Sequence, residues 1–417
     1  MSTEEQTIPK GYKRTEVGVI PSDWEVKRLR DVGEIITGST PPTQIKEYWN
    51  GLIPWITPTD ISNKKDIYNS EREISFLGLQ VIRKLPANTL LVTCIASIGK
   101  NAILRADGAC NQQINAIIPS NDYNVDFLYY LIENSKQYLL GSAGITATLM
   151  ISKKDFSEIT FSIPNNPEQT AIATALSDTD ALIEKLTNLI EKKKNIKQGT
   201  MQELLTGKRR LPGFSGEWEV KKIGQLGRSY GGLTGKIKSD FGIGNNFYIP
   251  FMNIMSNPVI DPSYFDIVNI RVDETQHMVQ KGDLFFNGSS ETPEEVGMCS
   301  VLLENIPNLY LNSFCFGFRL NEDLNTSGLF FAYYFRSNVG RKLIYSLAQG
   351  AIRYNLSKTN FLKLDIPYPR PEEQTAIATV LSDIDAEIEK LESQLSKCQN
   401  LKQGMMQTLL TGKIRLI

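Results

Sequence analysis

A stretch of 43 residues occurs twice in this chain, and any fold for it has to accommodate the repetition. Residues 169–211 read QTAIATALSDTDALIEKLTNLIEKKKNIKQGTMQELLTGKRRL, and residues 374–416 read QTAIATVLSDIDAEIEKLESQLSKCQNLKQGMMQTLLTGKIRL. At a constant offset of 205, 29 of the 43 positions are identical without a gap. An internal repeat of this quality sets the architecture before any single element is read. The order is variable segment, helix, variable segment, helix.

Both copies read as long helices. Ile172, Leu176, Thr179, Ile183, Leu186 and Ile190 follow alternating steps of four and three, as do Ile377, Leu381, Ile384, Ile388, Leu391 and Leu395. That spacing puts them on one narrow stripe with a heptad period, the seam of a coiled coil. No proline interrupts either run, and the proline-rich stretches before them mark their starts. Thr-Gly at 206–207 and 411–412, followed by Lys and Arg, marks their ends. At 1.5 Å per residue, about 37 helical residues span roughly 55 Å. Two such stripes in one chain pair most simply with each other, antiparallel, as a spacer.

The repeat extends beyond the helices. Trp24-Glu25-Val26-Lys27 recurs as Trp218-Glu219-Val220-Lys221, each after a Pro-containing lead-in, and Gly33 and Gly38 fall on Gly227 and Gly232. Since the first helix runs directly into LPGFSGEW, the end of the second helix is expected beside Ile20 and Pro21. The elements would then form a nearly closed ring with pseudo-twofold symmetry. Between lead-in and helix each variable segment is about 150 residues, enough for its own core. Short β-type runs (52–56, 89–95 and 115–118; 247–252, 283–286 and 315–320) alternate with helical stretches at 126–139 and 328–348. The fold class is therefore mixed, α+β: two α/β domains separated by two long antiparallel coiled-coil helices. The expected segments are a lead-in 1–23, a first domain 24–165, a helix 166–212, a second domain 213–370 and a helix 371–417.

Composition excludes more than it reveals. No run approaches the 18 apolar residues of a membrane span, and MSTEEQTIPK has acids where a signal peptide needs bases, so a cytoplasmic chain is expected. Five cysteines form no CxxC pair and argue against a disulfide framework. The single histidine, His277, lies in a polar stretch and reads as a surface residue. It leaves no Ser/His/Asp triad and no zinc site needing two histidines. Other strings imitate chemistry and fail. Phe241-Gly242-Ile243-Gly244 resembles a methyltransferase glycine loop, but Asp261-Pro262-Ser263-Tyr264 has Ser where the catalytic motif has Pro, and lies too close. Glu25-Val26-Lys27 lacks the second acid of a nuclease site, and GGLTGK at 231–236 lacks P-loop spacing. With no catalytic and no metal-ligating residues to name, the chain reads as a binder.

A pair of related domains on a long spacer fits the reading of two separated marks on one linear polymer. Between Glu191 and Arg210 seven bases stand against two acids, a run suited to backbone phosphates despite a net charge of −1. Candidate DNA-binding residues in the first segment are Thr40, Thr43, Ser97, Lys100, Gln112, Gln113, Thr146, Thr148 and Lys153. In the second they are Asn287, Ser289, Ser290, Arg353, Tyr354, Asn355 and Lys358, all side chains able to meet base edges or phosphates. A coiled-coil scaffold without DNA specificity is the alternative.

The strings GVIPSDWEVKRL, EYWNGLIPWITPTDI, IPNNPEQTAIATALSDTDALI, LLTGKRRLPGFSGEWEVKKI and PEEQTAIATVLSDIDAEI together resemble the specificity subunit of type I restriction–modification enzymes. The resemblance implies two target recognition domains, each reading half of a split, asymmetric site on double-stranded DNA. It implies repeated helices that set the spacing and dock two methyltransferase subunits. S-adenosylmethionine would then belong to the methyltransferase partner, and ATP and magnesium to two further restriction subunits, with no cofactor in this chain.

Overall fold

The computed structural model describes residues 8–62, 64–142, 149–350 and 353–416. Two compact units divide the chain: Met1–Thr187 together with Ser393–Ile417, and Asn188–Glu392. Each unit holds one variable domain, the opening half of the helix that follows it and the closing half of the other helix. The division cuts through both long helices, where the sequence reading kept them as separate segments.

The strands of the first unit include β1 (Gly33–Thr37), β2 (Trp49–Ile56), β3 (Asp66–Ile67), β4 (Glu73–Ile74), β5 (Thr89–Thr93), β6 (Asn101–Leu104) and β7 (Ile114–Pro119). A five-stranded sheet runs β1-β7-β5-β6-β3, antiparallel except for the β6–β3 pair. Every residue of β5 and β6 is buried because the sheet is covered on both faces. Leu90, Val92 and Ile103 face the core under α1 (Val125–Asn134), while Leu91, Ala102 and Leu104 face a second core on the opposite side. Alternate residues of one apolar run thus serve two cores. The helix expected over 126–139 is two pieces: α1 stops before Ser135, and a short helix Lys136–Gly141 follows.

The second unit repeats this plan with β8 (Gly227–Gly231), β9 (Phe241–Ile249), β10 (Asp266–Val268), β11 (Leu284–Asn287), β12 (Cys299–Val301) and β13 (Cys315–Leu320). Its main sheet runs β8-β13-β11-β12, all antiparallel. Leu284, Phe286, Phe316 and Phe318 face one core, Phe285 and Cys315 the other. The run expected as strand to Met252 ends at Ile249, since Phe251–Ser256 is helical after Pro250. The expected helix 328–348 divides at Ser337, which caps the second piece by accepting the Gly340 N–H.

The long helices, α2 (Asn166–Leu204) and α4 (Pro371–Leu409), have 39 residues each, with α3 (Gly328–Arg336) between them in sequence. Within each unit their halves run antiparallel. Asp180 pairs with Lys402 at 2.6 Å in the first, and Lys193 with Glu387 at 2.7 Å and Lys194 with Glu392 at 2.6 Å in the second. The stripe residues divide into two kinds. Ile172 and Leu176 belong to the first domain's core with Leu409 and Leu410, and Ile377 and Leu381 to the second's with Leu204 and Leu205. Ile190 and Ile388 are buried, while Ile183, Leu186, Ile384, Leu391 and Leu395 are half-buried. Opening turns are covered by a domain as well as a helix. Mid-helix residues have less cover.

Candidate nucleic-acid interface

The Glu-Gln pair that opens each helix explains why the repeat is so strict there. Glu168 and Gln169 are almost wholly buried, as are Glu373 and Gln374. Glu168 accepts the Trp24 indole N–H at 3.0 Å, and Glu373 accepts that of Trp218 at 3.0 Å. Gln169 accepts the backbone N–H of Asn124, the residue capping α1, and donates to Pro164 O. Gln374 accepts the N–H of Ser327, which caps α3, and donates to Pro369 O. Each buried carboxylate is met by an arginine from the end of the other helix: Arg415 on Glu168, Arg210 on Glu373. Arg415 also pairs with Asp23, Leu416 packs on the core containing Ile20, and Gly412 lies against Pro21. The chain's end thus meets its lead-in as expected.

A second junction lies 12 residues further along each helix, at Asp180 after Glu168 and at Asp385 after Glu373. Tyr130 of α1 donates to Asp180 at 2.7 Å, and Asp180 pairs with Lys402. Tyr333 of α3 donates to Asp385 at 2.8 Å, and Asp385 pairs with Lys197. In both units burial raises the tyrosine hydroxyl pKa, and the neighbouring aspartate adds to it. Each domain is thereby bolted to two helices through one carboxylate. A groove of about 920 Å³ beside the second junction is lined by Lys194, Lys197, Asp385 and Glu392 among others, and these charges are already paired with one another. Among the described residues no group of three or more His, Cys, Asp or Glu is placed to hold a metal ion.

Each of these domains presents one edge of its main sheet. In the first unit the end of β1, the start of β7, the end of β5 and the start of β6 coincide there, because neighbouring strands are antiparallel. Thr40 Oγ1 donates to Gln112 Oε1 at 2.6 Å, the Cys94 N–H to Gln113 O at 2.9 Å, and the Ile151 N–H to Cys94 O at 2.9 Å. Thr40, Ser97, Lys100, Gln112 and Gln113, on loops, and Lys153, at the start of the short helix Lys153–Glu158, are therefore brought together from four separate parts of the sequence. Gln112, Lys100 and Lys153 are exposed; Thr43 is exposed further along the loop after β1. Thr146 and Thr148 lie outside the described residues. Arg83, which sequence reading passed over, joins the same edge: its guanidinium donates to Thr37 O at 2.6 Å and its N–H to Ser39 Oγ at 3.1 Å.

The second unit closes its loops the same way, with the Gly288 N–H on Phe314 O and the Leu356 N–H on Gly288 O. Ser289–Ser290 pairs with Tyr354–Leu356, so the candidates from both stretches meet. Their burial corrects part of the sequence reading. Asn287 is fully buried, takes the Met298 N–H at 2.6 Å and donates to Glu295 O and Ser289 O, so it ties down its own loop. Ser289 and Ser290 are buried too. Arg353, Asn355 and Lys358 are the exposed members, with Tyr354 half-buried. Arg353 lies over the exposed ring of Phe314 at 5.4 Å, and Lys358 over Phe316 at 5.5 Å. Phe314 was invisible to a reading that sought only polar groups.

Both halves of this arrangement correspond to one known kind of domain. The family model described as "Type I restriction modification DNA specificity domain" matches residues 21–195 and again 215–397. The chain belongs to that family. A match on both variable segments does not favour the alternative of a scaffold without DNA specificity. The chain is 40% identical over 190 residues to the type I restriction enzyme MjaIX specificity subunit of Methanocaldococcus jannaschii, covering 43% of this chain and 44% of that protein. It is 35% identical over 152 residues to the HindI specificity subunit of Haemophilus influenzae, covering 35% and 33%. This chain thus matches less than half the length of these two relatives. A putative MjaX specificity subunit of M. jannaschii is matched over 98% of this chain and 97% of its own length at 26% identity. The fold is that of a type I restriction–modification S subunit from M. genitalium (TM-score 0.55, 15% identity, 93% and 96% covered). It is also that of a specificity subunit from Thermoanaerobacter tengcongensis (TM-score 0.51, 16% identity, 95% and 98% covered). No helix among the described residues is long and apolar enough to cross a membrane.

Proposed function

We propose that this chain is the non-catalytic, sequence-reading subunit of a cytoplasmic type I restriction–modification complex. Each domain reads one half of a bipartite, asymmetric site on double-stranded DNA. The observation that carries this reading is the recurrence, in both family-matched segments, of one loop-bearing sheet edge with different side chains on it: Gln112, Lys100 and Lys153 in one, Arg353, Asn355 and Lys358 in the other. Shared backbone with divergent exposed donors is what two readers of different half-sites require. The buried junctions at Glu168 and Glu373 support a defined mounting of each domain on the helix halves of its own unit. The repeated helix surfaces would dock two methyltransferase subunits. Those partners would bring S-adenosylmethionine and methylate adenine, and two restriction subunits using ATP and magnesium would cleave unmodified DNA.

The test is methylome sequencing of cells carrying this gene with and without the partner methyltransferase gene. The expected result is methyl-adenine at a split, asymmetric motif that vanishes when either gene is removed. Inserting one helical turn near Thr187 should change the spacer and leave both half-site sequences as they were. A new half-site with unchanged spacing, or no gene-dependent methylation with both proteins expressed, overturns the reading.

A further inference from the structure

Strand β2 is bent in a way that a plain sheet strand has no need of. Trp49 and Ile53 both pair with Ile74, Asn50 has φ 59°, and Leu52 is 92% exposed. A Cβ on Gly51 would lie 2.2 Å from Ile74 O, so the bulge requires glycine there. In a straight strand Trp49 and Trp55 would stand roughly 20 Å apart. Here their rings meet edge to face, 5.1 Å between centroids at 88°. Their indole N–H groups hold the loop that carries Thr40, Trp55 through Ser39 O at 2.9 Å and Trp49 through Pro42 O at 3.3 Å. Bulges re-aim side chains beside functional sites.

What the bulge aims at is Arg72. This exposed residue sits opposite Trp55, whose N–H reaches Arg72 O. Its guanidinium lies over Trp49 at 4.1 Å and Trp55 at 5.2 Å. Among the described residues no ion pair or hydrogen bond engages that guanidinium. A planar donor fork, held still by two rings and left without an internal acceptor, is preorganised for a planar pair of acceptors.

The second unit has the same device with the charge reversed. In β9, Phe241 and Asn246 both pair with Val268, and Phe241 meets Tyr248 at 5.3 Å and 70°. The register position facing Tyr248, as Arg72 faces Trp55, is Asp266, exposed and accepting from the Tyr248 hydroxyl at 3.3 Å. A position facing phosphates would not tolerate a carboxylate. A position facing base edges takes either sign, since guanine offers acceptors in the major groove and cytosine a donor.

The geometry points to Arg72 as a specificity-determining residue of the first domain, donating bidentately to O6 and N7 of a guanine. This rests on the DNA-reading function proposed above. The experiment is a binding selection on a randomised duplex library, using the full chain co-purified with its methyltransferase. Wild type is compared with Arg72→Lys and Arg72→Ala, each checked by thermal melting. Both variants should lose preference for one G·C pair, by roughly 5- to 150-fold, with the other half-site unchanged. Retained preference at every position in either folded variant overturns the inference, as does an even loss across all sequences, the signature of a phosphate contact. If Arg72→Ala fails to fold, Arg72→Lys decides alone, because it keeps the charge and loses the fork. A wild type that selects no split motif overturns the functional reading itself, a result distinct from the other two.

Discussion

Arg415 closes on Glu168 across 247 positions of sequence, Nε to Oε1 at 2.6 Å and Nη2 to Oε2 at 2.7 Å. The carboxylate is wholly buried, and it also holds the Trp24 indole. Removing the arginine strands a buried charge, which costs about 3–5 kcal/mol. Arg415→Met should therefore lower the denaturation midpoint of the full chain sharply, and adding Glu168→Gln should recover part of the loss. An unchanged midpoint in the single variant would show that the pair is ornamental. Arg210→Met, acting on Glu373 in the other unit, is expected to behave alike.

The tyrosine junctions make a gentler test. Tyr130→Phe and Tyr333→Phe each delete one hydrogen bond to an aspartate that keeps its lysine partner. A loss of about 1.5–3 kcal/mol each is expected for a bond to a charged acceptor, read from chemical denaturation. Neither variant should alter a half-site sequence, since neither side chain lies on a reading edge. A changed methylation motif would contradict that division of labour.

Thiol chemistry checks the burial of the cores. Burial pushes the Cys94 thiol up to about 11 and those of Cys110 and Cys315 up to about 12, and Cys299 is raised further in the same direction. Only Cys398 is partly exposed. Titration with a chromophoric disulfide at pH 8 should label one cysteine per native chain and all five after denaturation. Rapid labelling of two or more would refute the packing of at least one domain.

At low pH the clasp at the chain's end should weaken in a defined direction. The hydrogen-bonded Arg415 guanidinium holds Asp23 below its ordinary value of 3.8. The unfolded chain therefore binds more protons between the folded value and 3.8, so stability rises with pH across that window and is lost as pH falls through it. Asp23→Asn should flatten this part of the stability profile and lower stability above it. Asp23 is more than half exposed, so the effect is at most about 1 kcal/mol. An acid profile identical to wild type would remove Asp23 from the account.

The repeat alone determined the order of elements, the two helices and the equivalence of the two domains, because duplicated sequence under the same local forces folds the same way. Heptad spacing and the absence of proline were enough to place α2 and α4, since helix formation depends on neighbours three and four residues away. Two things were decided only by tertiary contact. Ile172, Leu176, Ile377 and Leu381 follow the seam pattern, yet each belongs to a domain core, because periodicity records that a face is covered and not by what. The interface divides likewise. Thr40 and Gln112, 72 positions apart, meet because antiparallel strands end on one edge, while Asn287 turned inward because its loop needed its hydrogen bonds. Arg72 gave no sign in sequence. It is defined by a bulge that folds Trp49 onto Trp55, and a bulge is a property of strand pairing, which no stretch of the chain contains by itself.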